Sequence, residues 1–140
     1  MNIDFNFTDA EFTFSDLEKV KKWIVHTIET EHCFTGNITY IFCSDNYLLD
    51  VNKKYLNHDY FTDVITFDYV KNKVISGDIF ISVDRTKENA IFYNVSHETE
   101  LLRVMIHGVL HLIGYDDLTD EQENEIHSKE DFYLNLYNSL

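Results

Sequence analysis

His107 and His111 stand four residues apart in the run Arg103-Val104-Met105-Ile106-His107-Gly108-Val109-Leu110-His111-Leu112-Ile113-Gly114-Tyr115-Asp116-Asp117. On a helix this spacing places both rings on one face, with Cβ atoms about 5–6 Å apart. Two imidazoles so placed reach one divalent ion, such as zinc, at about 2.0–2.1 Å each. Gly114 suits the left-handed position after a helix and lets the chain turn back. A third ligand a few residues later then completes one side of the ion and leaves a fourth position for water.

The surroundings of the pair matter as much as its spacing. Leu101, Leu102, Val104, Met105, Ile106, Val109, Leu110 and Leu112 make the helix strongly apolar. Buried imidazoles need partners, and a metal supplies them; two solvated or core-satisfied histidines are the plainer alternative. Gly108 costs about 1 kcal/mol against alanine inside a helix, which predicts close approach by another element or a ligand. The pattern is not the His-Glu-x-x-His of zinc peptidases, whose glutamate is the general base. Gly108 stands in that glutamate's place, so peptidase chemistry lacks its proton acceptor. His26, His32, His58, His97 and His127 have no comparable spacing and read as surface or structural residues.

Elements must position this helix. Residues 2–7 alternate polar and apolar, a strand pattern. Ser15-Asp16-Leu17-Glu18 reads as a capping box, followed by a helix with Leu17, Val20, Ile24 and Ile28 on one stripe. Ile38 to Cys43 is β-branched and aromatic, hence a strand. Ser44 or Asp45 caps a short helix through about Tyr55. Asp63 to Tyr69 and Val74 to Val83 are two strands beside turn signals at Asn72 and Gly77. Asp84 opens a helix to about Tyr93, and Ser96 or His97 opens the histidine helix, which ends at Ile113. Thr119-Asp120-Glu121-Gln122 is a second capping box before a last helix to about Tyr137, with Ile126, Tyr133 and Tyr137 on one face. The order β-α-β-α-β-β-α-α-α predicts an α+β fold in one small domain spanning residues 1–140, with a short mixed sheet of about four strands and about five helices. The metal site sits at the end of the histidine helix.

Composition narrows the function. At 140 residues and 44% hydrophobic, the chain fits one domain with a sizeable core. The start, MNIDFNFTDAEF, has neither a basic segment nor an apolar run, so no secretory signal is expected. No apolar stretch approaches the roughly 20 residues of a membrane helix, so no membrane partner is expected. Cys33 and Cys43 read as two free thiols of a reducing cytoplasm. The net charge of −14 opposes general nucleic-acid binding, which normally uses lysine and arginine. Any RNA contact has to be local, through a few basic residues and a metal.

The run His-Gly-x-Leu-His-Leu-x-Gly-Tyr-Asp resembles the signature of the YbeY family, metal-dependent endoribonucleases of bacterial rRNA maturation. Val51-Asn52-Lys53-Lys54-Tyr55, Thr62-Asp63-Val64-Ile65-Thr66-Phe67 and Gly77-Asp78-Ile79-Phe80-Ile81-Ser82 follow the family's order and spacing, as does the Leu101-Leu102-Arg103 lead-in. The resemblance implies a single-strand-type endoribonuclease of 16S rRNA 3′-end maturation and ribosome quality control. Its partners would be rRNA and the small ribosomal subunit, with no DNA expected. The family places a third histidine, as a zinc ligand, ten residues after the first. That count falls on Asp117 here. A carboxylate can replace the imidazole at about 2.0–2.2 Å, but its charge weakens the ion as a Lewis acid and admits harder ions such as Mn²⁺. Asp116 is the competing ligand, or a group that orients one.

A second departure from the pattern concerns phosphate. The family arginine after Asn-x-x-Tyr reads Leu56, and the nearby lysine and proline positions read His58 and Phe61. A guanidinium suited to phosphate is missing there. Arg103, Arg85 and Lys53 are the cations left as candidates for substrate binding. Asp63, Asp116 and Arg103 are candidates for catalysis. The alternative to an enzyme is a ribosome-assembly factor with a largely structural metal and weak catalysis.

Overall fold

The computed structural model describes residues 2–140. Its elements are β1 (Asn2–Phe7), α1 (Leu17–Thr30), β2 (Phe34–Cys43), α2 (Asp45–Leu56), β3 (Val64–Asp68), β4 (Val74–Ser82), α3 (Val83–Tyr93), α4 (His97–Ile113) and α5 (Asp120–Ser139). The four strands form one mixed sheet in the order β1-β2-β4-β3. β1 and β4 both run parallel to β2, while β3 pairs antiparallel to β4. This is the single α+β domain expected, and it supplies the strand order that the sequence leaves open.

Alternation along the strands decides what each sheet face meets. Ile38, Tyr40 and Phe42 of β2 and Ile79 and Ile81 of β4 enter the main core with α1, α4 and α5. Phe80 of β4 instead packs on a smaller cluster with Leu48 and Val51 of α2. α2 therefore covers one face and α4 the other. Gly108 makes the second contact close: a Cβ there would lie 3.0 Å from the Ile79 side chain. The Tyr40 hydroxyl donates to the Met105 carbonyl at 3.1 Å, and Trp23 Nε1 on α1 donates to the Tyr133 carbonyl on α5 at 2.7 Å. The first bond ties α4 to the sheet, and the second ties α1 to α5.

Four local expectations need correction. α1 is capped by Asp16, which accepts from the Lys19 amide; Ser15 does not form a capping box. Its amide and hydroxyl both donate to the Glu98 carboxylate, at 2.7 Å each, a charged acceptor that outcompetes a local cap. Ser82, not Asp84, caps α3, its hydroxyl accepting from the Arg85 amide. Gly77 lies inside β4, where a Cβ would stand 2.4 Å from the Phe67 carbonyl; close strand approach, not a turn, explains it. The turn lies at Asn72 and Lys73, both at positive φ. β2 also begins earlier than Ile38, through a register irregularity between Thr35 and Ile38. Ser44, Ser96 and Thr119 are the caps of α2, α4 and α5, and the Thr119–Gln122 capping box is complete. Both cysteines are free thiols. Among the described residues no helix is long and apolar enough to cross a membrane.

Candidate metal centre

The last turns of α4 aim both imidazoles at one point. His107 Nε2 and His111 Nε2 are 3.0 Å apart, and Asp117 Oδ2 lies 3.6 Å from the first and 3.4 Å from the second. Ligand atoms bound tetrahedrally at about 2.0–2.1 Å stand about 3.3 Å from one another. The donor triangle thus has the dimensions of one face of such a coordination shell. Two neutral nitrogens and one carboxylate oxygen are also a chemically fitting set for zinc or a harder divalent ion. Asp116 is exposed and makes no side-chain hydrogen bond among the described residues, so the geometry selects Asp117 between the two aspartates.

A residue the sequence reading missed holds this arrangement. Glu130 of α5 is 1% exposed, and its Oε2 lies 2.6 Å from His107 Nδ1. Its other oxygen accepts from Arg103 Nη1 at 2.9 Å and lies 3.3 Å from His127 Nδ1. Burial pushes the Glu130 carboxyl up, but His107, Arg103 and His127 hold it below the usual carboxylate range. Burial likewise pushes the His107 imidazole down, and the hydrogen bond it donates to Glu130 with the charges of Glu130, Asp117 and Asp63 brings it above its ordinary value. A carboxylate on Nδ1–H fixes the tautomer and leaves Nε2 as the free donor. A signal did exist. Glu130 falls four after Ile126 and three before Tyr133, on the apolar stripe of the last helix, where a solvated glutamate does not belong.

The loop that presents Asp117 is tied at both ends. Gly114, at φ 128°, turns the chain, and the Gly114 and Tyr115 amides both donate to the Leu110 carbonyl. The Tyr115 hydroxyl donates to Glu31 Oε1 at 2.6 Å, and Lys129 and the Tyr133 hydroxyl bind the other oxygen of the same carboxylate. At the far end the Leu118 and Thr119 amides donate to Gln122 Oε1 at 3.0 and 3.2 Å.

The donor triangle opens into a cleft of about 610 Å³, which Asp63, Leu56, His58 and Tyr60 also line. Leu56 therefore faces the metal side. Asn52 is buried, and its amide donates to the Tyr60 carbonyl at 2.9 Å, fixing the segment that carries His58. His58 stacks on Tyr60 at 5.1 Å between ring centroids. Asp63 lies at the lead-in to β3 and accepts from Asn89 at 3.3 Å; burial raises its carboxyl, against the charges of His107 and Arg85. The candidate cations are all engaged. Arg103 bridges Glu130 and Asp131, Arg85 is paired with Asp45 at 2.7 Å and lies over Phe61, and Lys53 pairs with Asp59 at 3.4 Å. Only Arg103 of the three lines a cavity next to the triangle. Of the remaining histidines, His97 bonds the Thr86 hydroxyl at 3.0 Å, a structural role.

Comparison with known proteins places the chain in a family. The family model described as endoribonuclease YbeY matches residues 2–138. A protein of Flavobacterium psychrophilum bearing that name is 48% identical over 135 residues, with 96% of each chain covered. Its namesake in Flavobacterium johnsoniae is 44% identical over the same length and coverage. The solution structure of a Thermotoga maritima protein superposes with a TM-score of 0.68 at 28% identity, covering 95% of this chain and 88% of that one. The histidine helix, the returning loop and the strands behind them all lie within the matched residues 2–138, and the chain belongs to the endoribonuclease YbeY family.

Proposed function

We propose that this protein is a metal-dependent endoribonuclease that cuts single-stranded segments of rRNA in the cytoplasm, acting in 16S rRNA 3′-end maturation and quality control of the small ribosomal subunit. The observation that carries the reading is the triangle of His107, His111 and Asp117, at 3.0 to 3.6 Å, in a chain whose relatives are named endoribonucleases. These three residues would hold one divalent ion, zinc in the first instance. Such an ion polarises a phosphoryl oxygen and makes water a nucleophile near neutral pH. Glu130 keeps His107 in the tautomer that leaves Nε2 free. Asp63 lines the cleft beside His107 and takes the role of orienting the attacking water or accepting its proton. Arg103, held at the edge of the cavity by Glu130, is the cation assigned to the RNA backbone.

A ribosome-assembly factor with a structural metal is the second reading. It draws on Leu56, apolar where a phosphate-binding guanidinium would serve, and on a charge of −14. A structural zinc is normally closed by four protein ligands, and among the described residues the donor group contains three, which favours the open, catalytic site.

The test is cleavage of structured fragments from the 3′ end of 16S rRNA by the zinc-loaded protein beside His107→Ala and His111→Ala. Loss of cutting in both variants is expected. Equal cutting by wild type and variants would sink the reading, because a contaminating nuclease would then explain it.

A further inference from the structure

A second opening adjoins the metal centre. It is a cavity of about 510 Å³ whose lining includes Asp63, Tyr93, Glu100, Arg103, Val104 and His107. Asp63 and His107 also line the metal-side cleft, so the two spaces meet. The volume lies within the about 300–1,000 Å³ usual for small-ligand pockets.

Glu100 is the unexplained group. It is 4% exposed and lines the cavity, and no side-chain hydrogen bond or ion pair among the described residues engages its carboxylate. Among the described residues the one fully enclosed side-chain atom without a partner is Thr35 Oγ1, so the Glu100 oxygens remain open to the cavity. Its neighbours supply no partner. Arg103 pairs with Glu130 and Asp131 and forms no ion pair with Glu100, and Asp63 and Glu130 carry the same charge as Glu100. A metal ion does not fit either, since the only cluster of three potential ligands among the described residues is the His107 group. The carboxylate therefore offers the cavity two acceptor oxygens free to take N–H donors from a ligand.

We propose that this cavity binds a guanine base of single-stranded RNA, with the two oxygens of Glu100 accepting from the N1–H and the 2-amino group. The RNA part of this proposal rests on the endoribonuclease reading. Guanine is the base whose pairing edge presents two adjacent donors, the match for a bidentate carboxylate. Adenine and cytosine present an amino group beside an acceptor, which would face the second oxygen. The exposed Tyr93 ring and the Val104 side chain give the walls that a flat heterocycle needs, and unpaired bases stack on such rings. Glu100 precedes His107 by seven residues on one helix, about 10.5 Å along its axis. That separation lets a phosphate sit at the metal centre while the neighbouring base enters the cavity.

The test is calorimetric titration of the zinc-loaded protein with GMP, IMP, AMP and CMP at about pH 8.5, where Glu100 is ionised. IMP keeps N1–H and lacks the 2-amino group. GMP is expected to bind about tenfold more tightly than IMP, the scale of one hydrogen bond to a charged group, and more tightly still than AMP or CMP. Glu100→Gln should reduce GMP to the IMP level with zinc content intact. Tyr93→Leu, at an exposed ring, should weaken all four. Equal binding of the four nucleotides by wild type, or a GMP preference kept in Glu100→Gln, overturns the pocket. A parallel digest of oligouridine carrying one guanosine separates the two proposals. Cutting adjacent to the guanosine supports both. Cutting without base preference overturns the pocket alone. No cutting overturns the endoribonuclease reading and leaves the titrations to decide the pocket.

Discussion

Glu130 Oε2 lies 2.6 Å from His107 Nδ1, and the carboxylate is buried at the contact between α4 and α5. The candidate metal ligand on one helix is thus oriented by the other. Glu130→Ala should lower zinc affinity about 10–100-fold, the usual cost of losing a partner behind a ligating histidine, although Glu130 touches no metal. Competition with a chromogenic chelator measures this, and unchanged affinity would show that His107 needs no such support. Glu130→Gln should fall between, since its amide oxygen still accepts from Nδ1–H without the charge.

Asp117 completes the triangle at 3.4 and 3.6 Å from the two imidazole nitrogens, while Asp116 faces solvent. Elemental analysis of Asp117→Ala should therefore show most of the metal lost after dialysis, and Asp116→Ala should keep about one ion per chain, as one three-ligand site requires. Asp117→His should retain metal and shift preference from Mn²⁺ toward zinc, because a neutral, softer donor replaces an anionic one. Full metal content in Asp117→Ala would remove it from the ligand set.

The sequence makes α4 legible because its chemistry and periodicity coincide. His107, His111 and Gly114 sit at helical offsets in an apolar run, and the loop length follows from the family spacing. Glu100 and Glu130 were less visible because glutamate on a helix ordinarily means a solvated face. Both nevertheless break a pattern. Glu130 interrupts the Ile126–Tyr133 stripe, and Glu100, Arg103, His107 and His111 form a polar line down an otherwise buried helix. Strand order was illegible for a different reason. It depends on which hydrophobic faces meet across the chain, such as Gly108 against Ile79, and no local signal encodes that pairing. The ties of Arg85 to Asp45 and Arg103 to Asp131 were hidden in the same way, at separations of 40 and 28 residues.

Burial, together with the charge of Asp63, pushes the Glu100 carboxyl up to about 7, with Arg103 opposing and Glu130 adding to the rise. The titratable and charged groups facing it across the cavity are Asp63, Arg103, His107, His127 and Glu130. A carboxyl whose folded pKa is raised lowers stability as pH rises from its unfolded value through its folded one, because the unfolded state releases the proton first. Its effect is neutral below the ordinary glutamate range and fully unfavourable above about pH 7. Glu100→Gln should thus unfold in urea much like wild type at about pH 4, and be more stable by up to about 3 kcal/mol at about pH 8. A gain that does not grow with pH would mean that Glu100 is not held protonated by its surroundings.

Glu31 has the opposite sign. Burial pushes its carboxyl up, but hydrogen bonds from Tyr115, Tyr133 and Lys129 outweigh this and hold it below its ordinary value. Its contribution is present above the unfolded glutamate pKa and disappears as pH falls through the lower folded one. Glu31→Gln should cost about 1–3 kcal/mol at neutral pH, measured as a lower urea midpoint, with the deficit shrinking as the wild-type carboxyl is protonated in acid. The change should also reach the metal centre. Tyr115 stands two residues before Asp117, and without its anchor on Glu31 the returning loop has more freedom to leave the two histidines. Zinc affinity at neutral pH should therefore fall together with stability in Glu31→Gln. A variant that loses stability and binds zinc as wild type does would show that the capping box at Thr119 holds Asp117 in place on its own.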